Sequence, residues 1–205
     1  LTSIAAGVAG AGSTAVAPSS VINTLTQKTK SYIASGAKVN STGDLVIPGP
    51  SQSVSVTAKD LTDLLSVAGA AAFGAKAGAG AGADVTVIGK TTQAYIASSE
   101  SGKTIANAAR TLRVLAESSE DITSVSGVAD GSLGVSVAGS MSVFRITNTT
   151  QGYIGDHAVV SSRNVLVSAR DDNEMRLIDG SAAFGNTAGV GASGAVAVID
   201  KTTEA

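Results

Sequence analysis

Residues 85–96 read VTVIGKTTQAYI, and this stretch decides the fold because parts of it return along the chain. Residues 148–154 read NTTQGYI, residues 27–33 give the looser version QKTKSYI, and residues 201–205 read KTTEA. A recurring unit of this kind is typical of an elongated stack, in which each unit buries its apolar face against its neighbours. The sequence therefore favours a repeat protein over a single globular core.

The spacing of the copies locates one variable segment in each repeat. Tyr32 and Tyr95 are 63 residues apart, and Tyr95 and Tyr153 are 58 apart. The change in length falls between each tyrosine and the next alternating segment, at residues 34–53, 97–111 and 155–164. Length variation confined to one place predicts a surface loop. We predict a single β-solenoid fragment over residues 1–205, with units at about 1–53, 54–111, 112–164 and 165–205, of which the first and last are partial.

Short alternating segments predict the strands. Residues 54–58, 112–116 and 165–169 read VSVTA, LRVLA and VLVSA, and their period of two is the pattern of a half-buried strand. A segment containing acids follows each of them, at 59–60, 117–121 and 170–172, and we predict solvated turns there. In residues 78–83, GAGAGA, alternation predicts one face of alanine and one of glycine, and therefore a narrow interior.

The size of the repeat suggests how it is folded. A unit of roughly 57 residues divides into about three coils of about 19 residues, the size expected for a parallel β-helix. The predicted fold class is therefore all-β, a parallel β-helix (β-solenoid) with about three coils per repeat of 53–63 residues. About nine or ten coils would form a rod of roughly 45 Å at the spacing of β-strands. On this reading the threonine pairs 91–92, 149–150 and 202–203 stand about 14 Å apart, too sparse for a lattice-matched face.

Composition excludes several classes of function. Only 15% of the residues are charged and the net charge is −2, which argues against both disorder and a nucleic-acid-binding surface. The chain has no cysteine and one histidine, so a metal cluster is not expected. The lack of cysteine fits either a reducing compartment or an exported bacterial protein. The uncharged run over residues 1–27 is rich in Gly, Ser and Thr and recurs before residue 201, so we predict strand rather than membrane span, and we find no signal peptide in it.

Four motifs that suggest chemistry are weak. Residues 97–104 match a relaxed phosphate-binding loop with alanine for the first glycine, but the equivalent loops lack the pattern. Residues 189–194 spell GxGxxG, but strand rather than helix is predicted to follow. His157 stands alone in a predicted surface turn. The segment 103–112 has helical periodicity, so a short helix within 97–112 is left open. We predict no catalytic, cofactor-binding or metal-binding residue and no cofactor.

The phrase at residues 85–96, repeated in part at 196–205, resembles repeats of the leukotoxin-type filamentous adhesins, as does the Gly/Ala/Ser block at 180–195. These are very large surface proteins of Gram-negative bacteria, related to the passengers of autotransporter and two-partner secretion systems. The resemblance implies a right-handed parallel β-helix, export to the cell surface, and a role in adhesion or toxicity. It implies no catalytic residue, and the anchoring parts of such proteins are not in this window.

The expected function is a structural rod segment of a secreted or surface-exposed bacterial adhesin. The loops 34–53 and 97–111 are the expected contacts with host or matrix proteins or glycans, besides the neighbouring repeats of the same long chain. One alternative is a β-helix enzyme acting on polysaccharide, which needs carboxylates about 5–10 Å apart. Another is a cytotoxic or pore-forming passenger segment, suggested by the GxxxG spacings at 78–82 and 185–189.

Overall fold

The computed structural model describes residues 1–42, 45–46, 49–97 and 103–205, and these residues form an all-β structure. The strands are β1 (Thr2–Ala11), β2 (Thr14–Ile33), β3 (Lys38–Val39), β4 (Ser41–Thr42), β5 (Leu45–Val46), β6 (Val54–Gly74), β7 (Ala77–Ile96), β8 (Thr104–Asn107), β9 (Thr111–Ser132), β10 (Val135–Ile154), β11 (Ala158–Ser161), β12 (Asn164–Gly185) and β13 (Ala188–Glu204).

The strands assemble into three parallel sheets. Sheet A has the order β1-β6-β9-β12, sheet B the order β2-β7-β10-β13, and sheet C the order β3-β8-β11. The short strands β4 and β5 pair antiparallel beside them. The predicted all-β, parallel, stacked architecture is confirmed.

One repeat forms one layer of the stack. Tyr95 pairs in register with Tyr32 on one side and Tyr153 on the other, so each strand lies beside its own copy in the next repeat. The prediction of about three coils per repeat is therefore wrong, and so is the rod of nine or ten coils. The copies are one strand spacing apart rather than about 14 Å. Layer 1 comprises β1–β3, layer 2 β6–β8, layer 3 β9–β11, and layer 4 β12–β13.

The coil estimate failed because the strands are unusually long. Most strands have about five or six residues, whereas β6, β7, β9, β10 and β12 have 20 to 22. Twenty residues extend about 66 Å, while four layers rise only about 14 Å along the stack. The described residues therefore form a wide, flat plate whose two large faces are the outer surfaces of sheets A and B.

The predicted acidic turns are also strand. Asp60, Glu120 and Asp171 lie inside β6, β9 and β12, where the alternation of inward and outward residues continues without a break. Their side chains point into the space between sheets A and B, with Asp60 and Glu120 fully buried. They contribute to the interior instead of giving the turns solubility.

The chain passes from sheet A to sheet B through two-residue bends, at residues 12–13, 75–76, 133–134 and 186–187. The bends stack on each other through backbone hydrogen bonds; the amide of Lys76, for example, donates to the carbonyl of Ser13 at 2.7 Å. Gly74 precedes one bend, and a Cβ there would overlap the carbonyl of Ala77. A side chain has no room at position 74, whereas the same register position holds Ala11 and Ser132 in the neighbouring layers.

Apolar side chains in the interior form three clusters along the length of the strands. The loop-side cluster contains Val56, Ala58, Ala94, Ile96, Ala106, Ala108, Leu112, Val114 and Ala116. The middle cluster contains Leu64, Ile88, Ile122, Phe144 and Ile146. The bend-side cluster contains Ala15, Ala17, Ala70, Ala72, Val128 and Ala138. Buried Ser, Thr, Asn, Asp, Glu and Lys residues fill the two zones between these clusters.

The predicted glycine face is confirmed in β7. Gly78, Gly80 and Gly82 point inward, while the alanines between them point outward. A Cβ on Gly80 would lie 2.7 Å from Asp130 Oδ2 and 2.7 Å from Val128 Cγ1 on the opposite sheet. The absence of a side chain here lets the two sheets approach each other.

The structure contradicts the helix that the segment 103–112 suggested. Residues Thr104–Asn107 form β8, which pairs with β11 and β3, and its four side chains are buried. Pairing with strands on both sides overrides the modest helix preference of these residues. The GxGxxG segment lies within β13, as the sequence indicated. Most of the phosphate-loop match, residues 98–102, and Pro48 of the loop at 34–53 lie outside the described residues.

Candidate functional site

Within the described ranges, no group of three or more His, Cys, Asp or Glu side chains is placed to hold a metal ion. His157 is exposed in the turn between β10 and β11. None of the described residues belongs to a helix long and apolar enough to cross a membrane.

A column of acids crosses the outer face of sheet A. Asp63, Asp121 and Glu174 are in register on three adjacent strands, so their backbones are about 4.8 Å apart. Neighbouring carboxylates on one face are what a polysaccharide-cleaving enzyme requires. The spacing is simply that of neighbouring strands, however, and Glu174 is paired with Arg176 on the same strand. The depression beside the column measures about 340 Å³, so these acids lie on an open surface and not in a deep cleft.

A ladder of identical residues crosses the outer face of sheet B near the loops. The rings of Tyr32, Tyr95 and Tyr153 stack with centroids 5.1 and 5.0 Å apart and planes within 8° and 3° of parallel. Partial burial, with a smaller contribution from Tyr95, raises the pKa of Tyr153. In the next column, Gln93 donates to Gln151 at 2.7 Å. These ladders hold neighbouring repeats in register.

The threonine pairs divide between the two faces of sheet B. Thr91, Thr149 and Thr202 point outward on adjacent strands, while Thr92 and Thr150 are buried. The outward threonines are thus close together, contrary to the spacing that three coils implied. Lys28 occupies the same column in layer 1, and the adjacent column holds Thr26, Gly89, Thr147 and Asp200. The face is therefore not a regular array of hydroxyls.

The bend half of sheet A exposes an uncharged outer surface, which we call the apolar field. It consists of four columns across four strands: Ile4, Val67, Val125, Ile178; Ala6, Gly69, Gly127, Gly180; Val8, Ala71, Ala129, Ala182; and Gly10, Phe73, Gly131, Phe184. The second column forms the floor of a groove of about 630 Å³ that runs along the stack. The outer face of sheet B is also mainly apolar at this level, with Val16, Val137 and Val190 exposed. An apolar surface of this extent is a candidate contact surface.

The predicted contact loops have more regular structure than expected. Residues 34–53 and 97–111 contain β3, β4, β5 and β8, and β3 and β8 belong to sheet C. Gly36 donates its amide to Thr104 Oγ1 at 2.9 Å, and Asn40, with a φ of 52°, donates its side-chain amide to the carbonyl of Asn107 at 2.7 Å. These bonds fix the path of the described part of each loop.

A buried charge cluster is the feature that sequence reasoning missed. Lys90 Nζ lies 2.7 Å from Asp60 Oδ1 and 2.7 Å from Glu120 Oε1. The three side chains are 1%, 4% and 0% exposed. The sequence contained one indication of this cluster, because each of the three residues stands two positions after another inward-facing residue of its strand. Asp60 follows Ala58, Lys90 follows Ile88, and Glu120 follows Ser118.

Comparison with known proteins identifies no relative. No protein-family model, curated protein or solved structure matches this chain. The structure itself must therefore supply the functional argument.

Proposed function

We propose that this chain is a structural segment of a secreted or surface-exposed adhesin of a Gram-negative bacterium, of the leukotoxin-type filamentous class, with its layers wound right-handedly. The supporting observation is that each repeat forms a complete layer and pairs in register with its copies. An array built in this way lengthens by one strand spacing for each repeat without any change in the surfaces it carries.

The arrangement of polar groups supports a structural role. Several buried polar side chains form hydrogen bonds between layers: Thr29 donates to Asp60 at 2.8 Å and Thr150 donates to Asp171 at 3.1 Å, each reaching into the next layer. On the outer faces, like residues stack on like residues in the tyrosine and glutamine ladders. Both kinds of contact hold repeats together.

Attachment to host, matrix or other cells is assigned to two surfaces, the apolar field and the loops at 34–53 and 97–111. The test is binding of the purified chain to cultured cells, matrix proteins and a glycan array. Two variants probe the surfaces: Phe73→Ser with Phe184→Ser, and Glu100→Ser with Lys103→Ser, which removes two charged side chains of the loop at 97–111. Leu61→Ser, on the charged half of the same face, is the matched control. We expect one of the two variants, and not the control, to lose binding. No binding by the unaltered chain would leave only the spacer role.

A cytotoxic or pore-forming role is the second candidate, because the outer faces of both sheets are mainly apolar next to the bends. It predicts release of an entrapped dye from lipid vesicles, and loss of release in the Phe73→Ser, Phe184→Ser variant. The structural role predicts no release of the dye.

A reducing-sugar assay on bacterial and host polysaccharides tests the enzyme alternative. The structural role predicts no activity in this assay.

A further inference from the structure

Lys90, Asp60 and Glu120 form a compact group in the polar zone between the loop-side and middle clusters. Asp60 and Lys90 belong to the same layer but to opposite sheets, and Glu120 comes from the next layer of sheet A. Lys90 Nζ is 2.7 Å from a carboxylate oxygen of each acid. Two carboxylates therefore approach one amine from two strands, out of contact with solvent.

The remaining contacts of the group orient both acids. Thr29 donates to Asp60 Oδ2 at 2.8 Å, and Ser118 donates to Glu120 Oε1 at 2.7 Å. Asn173 donates to Glu120 Oε2 and Lys90 donates to the carbonyl of Ser119, both at 3.5 Å. The next inward residues on the middle-cluster side are Thr62 beside Asp60 and Ile122 beside Glu120, and those on the loop side are Ala58 and Ser118.

We propose that Lys90 and Asp60 condense to form an intramolecular isopeptide bond, with Glu120 transferring the proton. Such a reaction needs a neutral amine beside a neutral carboxyl group, and a site without water favours neutral pairs over ionised ones. Because Cγ is bonded to Oδ1, the amine of Lys90 also lies next to the carbon it attacks. Near-attack distances are about 3 to 3.5 Å.

The steps balance without any added reagent. A proton moves from the Lys90 ammonium to the Asp60 carboxylate along their 2.7 Å contact. The amine then attacks Cγ of Asp60, the C–N bond forms, and the nitrogen loses a proton to the Glu120 carboxylate. Glu120 passes that proton to the departing hydroxyl of Asp60, the C–O bond breaks, and water leaves. The products are one amide and one water, and Glu120 returns to its starting state.

The chain contains an internal comparison for the role of Glu120. Lys201 and Asp171 occupy the register positions of Lys90 and Asp60 two layers away and form an ion pair. No second carboxylate among the described residues contacts Lys201, whose side chain is 25% exposed. The proposal therefore assigns an amide to Lys90 and Asp60 and none to Lys201 and Asp171.

The bond would join sheet A to sheet B across layer 2. It closes a covalent loop that contains the second part of β6, the bend at 75–76 and the first part of β7. Separation of the two sheets by heat or by force would then require a covalent bond to break. This property suits a chain under mechanical load, but the bond does not depend on the function proposed above.

Mass spectrometry tests the proposal directly. The denatured, unaltered chain is expected to be lighter than its sequence by the mass of one water. Proteolysis should yield one branched peptide that joins the Lys90 segment to the Asp60 segment. Glu120→Gln keeps the size of the side chain and should have the full sequence mass, with a β-rich circular dichroism spectrum showing that it folds. Lys201→Arg should behave like the unaltered chain.

Three results would overturn the inference. The first is a folded, unaltered chain that keeps its full mass after prolonged incubation. The second is a loss of water that maps to another site, such as a cyclised aspartate. The third is a branched peptide in the Glu120→Gln variant, which would remove the assigned role of Glu120. The mass of the unaltered chain can refute the proposal even if the Glu120→Gln variant does not fold.

Discussion

Each layer has a loop half, between the loops and the middle cluster, and a bend half, between that cluster and the bend, and the two halves differ in the charged residues that they expose and bury. In the loop half charges occur inside, around Lys90, and outside, where Lys59 and Glu117 pair at 3.3 Å. In the bend half the apolar field is uncharged, and the facing interior is built mainly of small residues. That interior also holds the buried acids Asp84 and Asp130, which accept hydrogen bonds from Ser124 and from the amide of Ala72. The same pair of sheets therefore buries a lysine between two acids at one end and is closely spaced around small residues at the other.

The two halves differ in what fixes the register between neighbouring layers. A buried charge penalises any register in which it lacks its partner, because an unpaired charge in the interior is very costly. Glycines at the close approach act by volume instead, since a slip of one residue would bring an outward alanine into a space with no room for it. We expect substitutions in the loop half to act through charge and those in the bend half to act through volume.

Lys90→Met should have the largest effect, because it leaves the buried carboxyl groups of Asp60 and Glu120 without the partner they share and also prevents the proposed amide. Breaking a buried ion pair from one side costs about 3–5 kcal/mol. The free energy of unfolding, measured by urea denaturation, should fall by about this amount. Lys201→Met is the matched control; it should cost less because Lys201 faces one carboxylate and is partly exposed. An equal loss of unfolding free energy in the two variants would show that the deeper burial of Lys90 and its second carboxylate do not add to stability.

Gly80→Val should have the next largest effect and tests the role of volume in the bend half. The added side chain would meet Asp130 and Val128, and overpacking of this kind costs about 1–3 kcal/mol. Ala81→Val, on the outward position beside it, should stay within about 0.5 kcal/mol of the unaltered chain. If both variants unfold at the same urea concentration, the sheets are not in close contact at Gly80.

The sequence predicts the features that depend on residues close together along the chain, and it does not predict those that depend on pairing between distant strands. The period-two pattern predicted the strands, and the Gly-Ala alternation at 78–83 predicted two distinct faces, but not that the glycine face points inward. The predicted acidic turns at 59–60 and 117–121 are wrong because Asp60 and Glu120 keep the inward phase of strands that continue through them. Only the pairing of sheet A with sheet B shows that Lys90 neutralises them. Likewise, β8 forms because β3 and β11 lie beside it, which no local pattern in 103–112 reveals.

Tyr95→Ala should have a smaller effect, and it tests the ladder on the outer face of the loop half. Tyr95 stacks on both neighbours, and each aromatic pair contributes about 0.5–1.5 kcal/mol beyond area burial. Tyr32→Ala removes only one stacking contact, so it should cost roughly half as much. The comparison of the two midpoints in urea measures how far the ladder stabilises the stack. Equal costs would mean that stacking between layers is not the source of the effect.

The smallest effect concerns the ionisation of Tyr153, whose pKa is raised mainly by partial burial and also by Tyr95. The folded state thus holds the phenolic proton more tightly than the unfolded state, where the pKa is about 10. This contribution to stability is complete below about pH 10 and is lost as the pH rises through the higher pKa of the folded state. The difference in ultraviolet titration between the unaltered chain and Tyr153→Phe should place the ionisation of Tyr153 at a higher pH in the native chain than after unfolding in urea. Tyr95→Phe removes the neighbouring charge and keeps most of the burial, so it should lower the pKa of Tyr153 only in part. A complete return to the ordinary value would mean that charge repulsion, and not burial, is the main cause.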